Sequence, residues 1–200
     1  MTDALLLTMM NPPPDGDAEF NDWVNTEHLP ERKVIPGIRA AIRFRNKAPS
    51  PRYMAMYDLE DISVLKSPAY MAIAGDNLSP WSKRILAGAT ARWRFEGSRI
   101  DAGPRAACTG GQGQLAELLL VLWRGMPARC DDAVVAALNA VIADMPGIVQ
   151  SRAFCGQRDG RNDYLGVVES GQPFDVGSTD TERYSTAVLR SDGAHVFNPI

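Results

Sequence analysis

Residues Phe20 to Phe44, FNDWVNTEHLPERKVIPGIRAAIRF, form the stretch whose reading decides the fold. Phe20, Trp23, Val24, Glu27 and His28 fall at i, i+3, i+4, i+7 and i+8, so they share one face of a helix. A core-facing stripe normally carries apolar groups, yet here an ionisable pair completes it. Burying Glu27 and His28 costs several kcal/mol unless they are paired or lie beside a cavity. Asp15 or Asp17 can cap this helix, which is expected to run to about Lys33. Pro30 lies inside it and cannot donate to the carbonyl of Thr26, which predicts a kink or break just after His28. Pro36-Gly37 then turns the chain into a strand over Ile38 to Arg45. Ala40, Ile42 and Phe44 lie on one side of it, and Arg39, Ala41, Arg43 and Arg45 on the other.

Outward from this stretch, Ala4 to Met10 reads as a buried strand, stopped by Asn11-Pro12-Pro13-Pro14. Arg52 to Leu59 is the next strand, with Tyr53, Ala55 and Tyr57 on one face and Met54, Met56 and Asp58 on the other. A helix interrupted by Pro68 is expected over Asp61 to Ala74, a helical turn over Ser82 to Ala87, and a strand over Thr90 to Glu96. The order is β-α-β-β-α-β, the ferredoxin-like unit. Ile100 to Gln114, rich in small residues, reads as a linker. The order then begins again, with strands over Leu115 to Trp123, Ile148 to Gln157 and Asp163 to Glu169 and a helix over Arg129 to Asp144. A second connecting helix is only loosely specified within Pro173 to Tyr184, and a last strand within Ser185 to Phe197.

Pro36-Gly37-Ile38 recurs as Pro146-Gly147-Ile148, 110 positions later. The same offset lays Phe20 to Phe44 on Cys130 to Phe154 without a gap. This predicts a tandem repeat: a first module over residues 1–100, a linker over 101–114 and a second, degenerate module over 115–200. Under that offset Trp23, Glu27 and His28 become Ala133, Ala137 and Leu138. The second helix therefore has the ordinary apolar stripe that the first lacks, which places the expected site in the first half.

The balance of 45% hydrophobic and 22% charged residues in 200 is that of an ordinary globular chain. Net charge is -3 with Lys and Arg scattered, so no nucleic-acid track is expected. The apolar run at Ala4 to Met10 is too short to span a membrane and lacks signal-peptide flanks. Cys108, Cys130 and Cys155 have no metal-ligand spacing and read as reduced thiols of a cytoplasmic protein. No phosphate-binding loop follows from the glycines at 103–113, and no G-x-S-x-G element points to a hydrolase.

At Glu19 to Arg43 the chain resembles the EthD-like branch of the dimeric α+β barrel superfamily. Its segment E-F-N-x-W-x-x-x-H-L-P, followed by P-G and a strand, is matched here by Glu19-Phe20-Asn21-Asp22-Trp23, Glu27-His28-Leu29-Pro30 and Pro36-Gly37, with four residues instead of three between Trp23 and His28. The resemblance implies an α+β fold in which two four-stranded antiparallel sheets close a barrel, here within one chain. It implies a pocket between sheet and helices, and an acid/base role for His28. The superfamily includes cofactor-free cyclases, dehydratases, lactone isomerases and quinone-forming monooxygenases, along with some haem enzymes.

The leading expectation is a cofactor-free lyase, isomerase or cyclase acting on a small apolar or aromatic carbonyl compound. His28 would shuttle the proton, Glu27 would orient it or act as the base, and Tyr57 or a freed backbone amide would hold the enolate oxygen. Trp23, Tyr53, Arg43 and Trp81 complete the expected pocket, with Trp93 as a further aromatic wall. No cofactor and no metal are expected, and a homodimer is compatible with the fold. Competing with this are a satisfied core histidine held by Glu31, a non-catalytic binding barrel, and a haem- or oxygen-dependent oxidoreductase.

Overall fold

Strand alternation sorts the apolar residues of this chain onto two faces, and both faces are buried. The computed structural model describes residues 3–103, 115–127, 129–175, 181–185, 191 and 193–200. Eight antiparallel strands close into a barrel: β1 (Ala4–Asn11), β2 (Ile38–Asn46), β3 (Tyr53–Leu59), β4 (Thr90–Arg99), β5 (Glu117–Met126), β6 (Ile148–Arg158), β7 (Arg161–Ser170) and β8 (Gly193–Pro199). Their order around the barrel is β1-β3-β2-β8-β5-β7-β6-β4, with β4 returning to β1. The fold is thus α+β with an antiparallel barrel closed within one chain, so none of the described strands leaves an edge for another chain to pair with.

The inward set is one core drawn from both halves: Leu5, Leu7, Phe44, Met54, Met56 and Phe95 meet Leu118, Leu120, Phe154, Leu165 and Phe197. Met9, Met54 and Met56 belong to this interior set. Arg152 on β6 crosses this interior to Asp58 on β3 and to Glu169 on β7 at 3.1 Å. All three are buried, so each charge depends on the others for compensation.

Two seams join the halves. β2 and β8 are in register over three pairs, Phe44 to Pro199, Arg45 to Asn198 and Asn46 to Phe197. β4 and β6 are in register over two, Ser98 to Cys155 and Arg99 to Phe154. At the second seam the backbones come unusually close. A Cβ on Gly156 would stand 2.2 Å from the carbonyl oxygen of Glu96, so only glycine fits.

The outer face of the first half-sheet carries the helices: α1 (Asp17–Trp23), α2 (Leu29–Lys33), α3 (Pro68–Met71) and α4 (Pro80–Gly88). Pro68 breaks the expected helix over Asp61 to Ala74 into a 3-10 segment, Ile62–Lys66, and α3. In the second half α5 (Asp131–Ile142) covers β5 and β7 through Val134, Ala137 and Leu138. Most of the expected linker, and residues 176–180 of the loosely specified helix, lie outside the described residues, as does Cys108. What is described there ends in a 3-10 turn, Thr181–Tyr184.

Gly156→Ala should destabilise the protein by roughly 1–3 kcal/mol, because a methyl group must force the β4–β6 seam apart. Urea denaturation monitored by tryptophan fluorescence reads this directly, and an unchanged midpoint would contradict the close approach.

Candidate active site

The helix holding His28 does not break; it widens. Between α1 and α2, Val24–His28 form one π-helical turn, closed by the Leu29 N–H donating to the carbonyl of Val24 five residues back. An α-helical ladder would require an N–H from Pro30, which has none, and a local shift to i+5 bonding accommodates that gap. Residues five apart now stack: the rings of Trp23 and His28 lie 4.3 Å apart between centroids. The turn also separates two packing partners. Phe20, Trp23 and Val24 pack with Tyr53 and Ile85, whereas Ile35 packs with Tyr57, Val64 and Tyr70.

Glu27 and His28 leave this turn in different directions. The Glu27 carboxylate accepts hydrogen bonds from Trp23 Nε1 at 3.3 Å, Ser82 Oγ at 3.0 Å and the Ser79 hydroxyl. Ser79 is the N-cap of α4, so Glu27 tethers the π turn to a positive helix end. The expected orientation of His28 by Glu27 is thus not what the geometry provides. The carboxylate near the imidazole is Glu31, 3.7 Å from Nδ1 and beyond hydrogen-bond length, and its own oxygen is taken by Arg32.

His28 faces a cavity of 580 Å³ between the outer face of β1, β3 and β4 and the helices. Tyr57, Tyr70, Arg32 and Trp93 line it with His28, and Arg92, Arg94 and Arg158 stand at its solvent-exposed side. Two buried polar atoms on this cavity, His28 Nδ1 and Tyr57 Oη, have no hydrogen-bond partner among the described residues; Trp93 borders the cavity but its ring stacks on Phe95 and packs against the barrel core. Burial, followed by the charges of Arg32, Arg94 and Arg43, holds the His28 imidazole well below its ordinary pKa. It is therefore neutral at pH 7 and free to accept a proton. Burial pushes Tyr57 up to about 12, so its hydroxyl stays protonated and can donate.

The other expected pocket residues fall around this centre. Trp23 stacks behind His28 and lines a small 20 Å³ void with Tyr53 and Arg43. Arg43 is held by Asn21 and Asn25, each at 2.8 Å, and Tyr53 bonds Asp17, so both brace the helix from below. Trp81 donates to Glu19 on the outside of α4 and is not on the cavity. Arg32, Tyr70 and Arg158 were missed in the sequence. Arg32 lies four residues after His28, a spacing that would have placed it on the same face. Arg94 donates to Tyr70 Oη at 3.0 Å.

A second cavity, 680 Å³, lies beside α5 in the second half. Its charged groups are engaged: Arg99 pairs with Asp101 at 2.6 Å, and Arg152 with Asp58 and Glu169. Among the described residues no histidine lines it; Leu138 does. Among the described residues no three His, Cys, Asp or Glu side chains cluster as metal ligands, and no helix is long and apolar enough to cross a membrane.

With this geometry in hand, solved structures of similar shape can be compared. An anthrone oxidase-like protein matches all of this chain and 91% of its own at a TM-score of 0.65 and 11% identity. A mutant chlorite dismutase from Candidatus Nitrospira defluvii matches 98% of this chain and 90% of its own, at a TM-score of 0.57 and 9% identity. A heme-binding protein from Thermus thermophilus matches all of this chain and 91% of its own at 0.54 and 10%. The fold is the dimeric α+β barrel.

No family model matches the sequence. A curated relative, Core atranone cluster (CAC) protein 1 of Stachybotrys chlorohalonatus (strain IBT 40285), is 34% identical over 83 residues. That match spans 38% of this chain and 35% of the relative, about a third of its length. As an α+β barrel, the chain thus places its candidate site between sheet and helices, outside the barrel itself.

The depressed His28 pKa has a consequence for stability. Unfolded, the imidazole binds a proton below pH ~6.5, whereas the folded protein resists it, so the unfolded state holds more protons in that window. Stability should fall as the pH drops below about 6.5, by up to roughly 1.4 kcal/mol per pH unit from this group. In His28→Leu that part of the slope should vanish, read as the difference between wild-type and variant urea midpoints from pH 7 to pH 5. Equal slopes would mean that His28 titrates normally.

Proposed function

We propose that the cavity beside His28 binds a small, largely aromatic carbonyl compound and removes a proton from a CH₂ conjugated with its carbonyl through the aromatic ring. The observation that carries this reading is the meeting of two unsatisfied groups in one cavity, an imidazole kept neutral and a buried hydroxyl donor. The C–H bond breaks, the proton passes to His28, and the electron pair moves onto the carbonyl oxygen. Tyr57 Oη is placed to hold that enolate. Burial, followed by the charges of Arg32, Arg94 and Arg43, makes protonated His28 acidic, so it gives the proton up again.

For the fate of the enolate, we favour oxidation over the lyase, isomerase or cyclase chemistry expected from the sequence. The shape neighbour named as anthrone oxidase-like supports this choice. In such a reaction a CH₂ beside the aromatic system and one O₂ become a carbonyl and one water. The carbon loses four electrons, and dioxygen gains them. Haem fits the residues poorly. Although His28 could ligate iron, the Tyr57 donor asks for an acceptor oxygen that a porphyrin face lacks. We therefore route no step through it, and a Soret band in the purified protein would reverse that judgement.

We also read the chain as two copies of one unit, residues 1–100 and 115–200, of which only the first keeps the chemistry. Support comes from the matching strand orders, β4-β1-β3-β2 and β8-β5-β7-β6, and from Leu138 at the position equivalent to His28. The expected setting is cytoplasmic, with a small-molecule substrate.

Anthrone is the first compound to assay, with oxygen uptake and anthraquinone absorbance as readouts. His28→Leu should fold with unchanged or modestly higher stability while the rate falls by roughly two to four orders of magnitude. An inactive wild type, or a variant that keeps its rate, would sink the oxidation reading. Tyr57→Phe removes a hydroxyl that bonds nothing among the described residues, so it should leave stability within about 1 kcal/mol. It should nevertheless lower the rate by about 10²–10³.

A further inference from the structure

The charge lining the same cavity is one-sided. Four arginines reach it, Arg32, Arg92, Arg94 and Arg158, and among the described residues no carboxylate does. Arg32 is offset by Glu31 and Arg94 by Glu96. Arg92 makes one hydrogen bond, to the carbonyl of Leu86 at 3.2 Å, and neither it nor Arg158 has an ion pair among the described residues. Two guanidinium groups without an ion pair among the described residues thus stand at one cavity of a chain whose net charge is -3. Counter-charge at a protein surface is normally interspersed, and a cleft lined by one sign concentrates ligands of the other.

Position adds to this. Arg32 and Tyr70 are 4% exposed and lie at the buried end with His28 and Tyr57, whereas Arg92 and Arg158 are exposed. The cavity therefore has an apolar, donor-bearing floor and a cationic mouth. Arg92 and Arg94 come from β4, in the first half. Arg158 comes from the end of β6, in the second, and it also lines a separate 160 Å³ void at the β4–β6 seam with Arg94, Glu96 and Asp163.

We propose that the mouth is a carboxylate-binding subsite, formed by Arg92 of the first half and Arg158 of the second. The physiological substrate would then be an aromatic carbonyl compound carrying a carboxylate at the end remote from the reacting carbon. Planar guanidinium groups suit a carboxylate because their paired N–H donors match its two oxygens. With the anion held at the mouth, the reactive end would be directed to the floor. The second half thereby supplies substrate selection even though its own helix lacks the ionisable pair. This assignment deepens the reading of the His28 cavity and rests on that cavity being the substrate site.

The test is binding, not turnover, so it stands apart from the fate of His28. Two probes of nearly equal shape, 2-naphthoate and 2-naphthamide, are titrated against the full chain by quenching of tryptophan fluorescence at pH 7.5. The carboxylate should bind at least about tenfold tighter than the amide, and only its affinity should weaken on going from low to high salt. Arg158→Gln and Arg92→Gln should each lower naphthoate affinity roughly five- to tenfold and leave naphthamide unchanged. Arg158→Glu should reverse the preference. In His28→Leu the preference for naphthoate should persist, which separates failure of this subsite from failure of the proton-transfer reading.

Equal affinity for the two probes, or no detectable naphthoate binding at millimolar concentration, would overturn the subsite. So would an unchanged ratio in Arg158→Gln. Should a variant fail to fold by circular dichroism, the wild-type ratio and its salt dependence decide alone.

Discussion

Closure of the barrel is the constraint on which the rest of this molecule depends. A sheet of eight strands loses its edges only if both seams hold, and the pairing at each seam here is brief. Two other features share the load. The inward apolar set draws on both halves, so parting the seams would expose a continuous core. Arg152 spans the same interior to reach Asp58 and Glu169. Breaking one member would strand a buried charge, an outcome costlier than the net worth of the intact network. The halves are thus parts of one structure and could not be expected to separate freely.

A closed barrel leaves its outer faces for helices, and the two faces have been used differently. On the second, Leu138 packs close to Gly166 and the Trp123 ring. It also lines a cavity whose charged groups are paired, whereas on the first face His28 lines one in which its own Nδ1 and Tyr57 Oη have no partner among the described residues. The electrostatic setting follows from the same layout. Burial, followed by the charges of Arg32, Arg94 and Arg43, suppresses protonation of His28. The anion subsite proposed at the opening draws on a different pair, Arg92 and Arg158.

Much of this was legible in the sequence. Period-two alternation in FNDWVNTEHLPERKVIPGIRAAIRF and its neighbours gave the strand faces correctly: Phe44, Met54 and Met56 point inward, and Ala41, Arg43, Tyr53 and Tyr57 lie under the helices. His28 stood out because an ionisable group completed an apolar stripe, and it does face a cavity. Glu27 was misread because helical spacing assigns a residue to a face without revealing what lies opposite. Ser79 and Ser82 are more than fifty positions away and claim the carboxylate. Trp81 was misplaced for the same reason. Arg158 gave no local signal at all, since it arrives at the cavity only because the barrel closes β6 onto β4.

The π turn at Val24–His28 has a further meaning when the helix is viewed as an object of fixed length and adjustable phase. A uniform α-helix advances by a constant angle per residue, so choosing the face of one end fixes the face of the other. Inserting one wide turn decouples them. The segment before it is phased to fill the groove over Tyr53 and Ile85, and the segment after it is phased to cover Tyr57 and Val64. Removing one residue from this turn would restore the regular phase and rotate everything after it by about 100°. Either the packing of Ile35 or that of Trp23 would then have to be surrendered. The extra residue is what allows a single short helix to serve both as a wall of the core and as the rim of an open cavity.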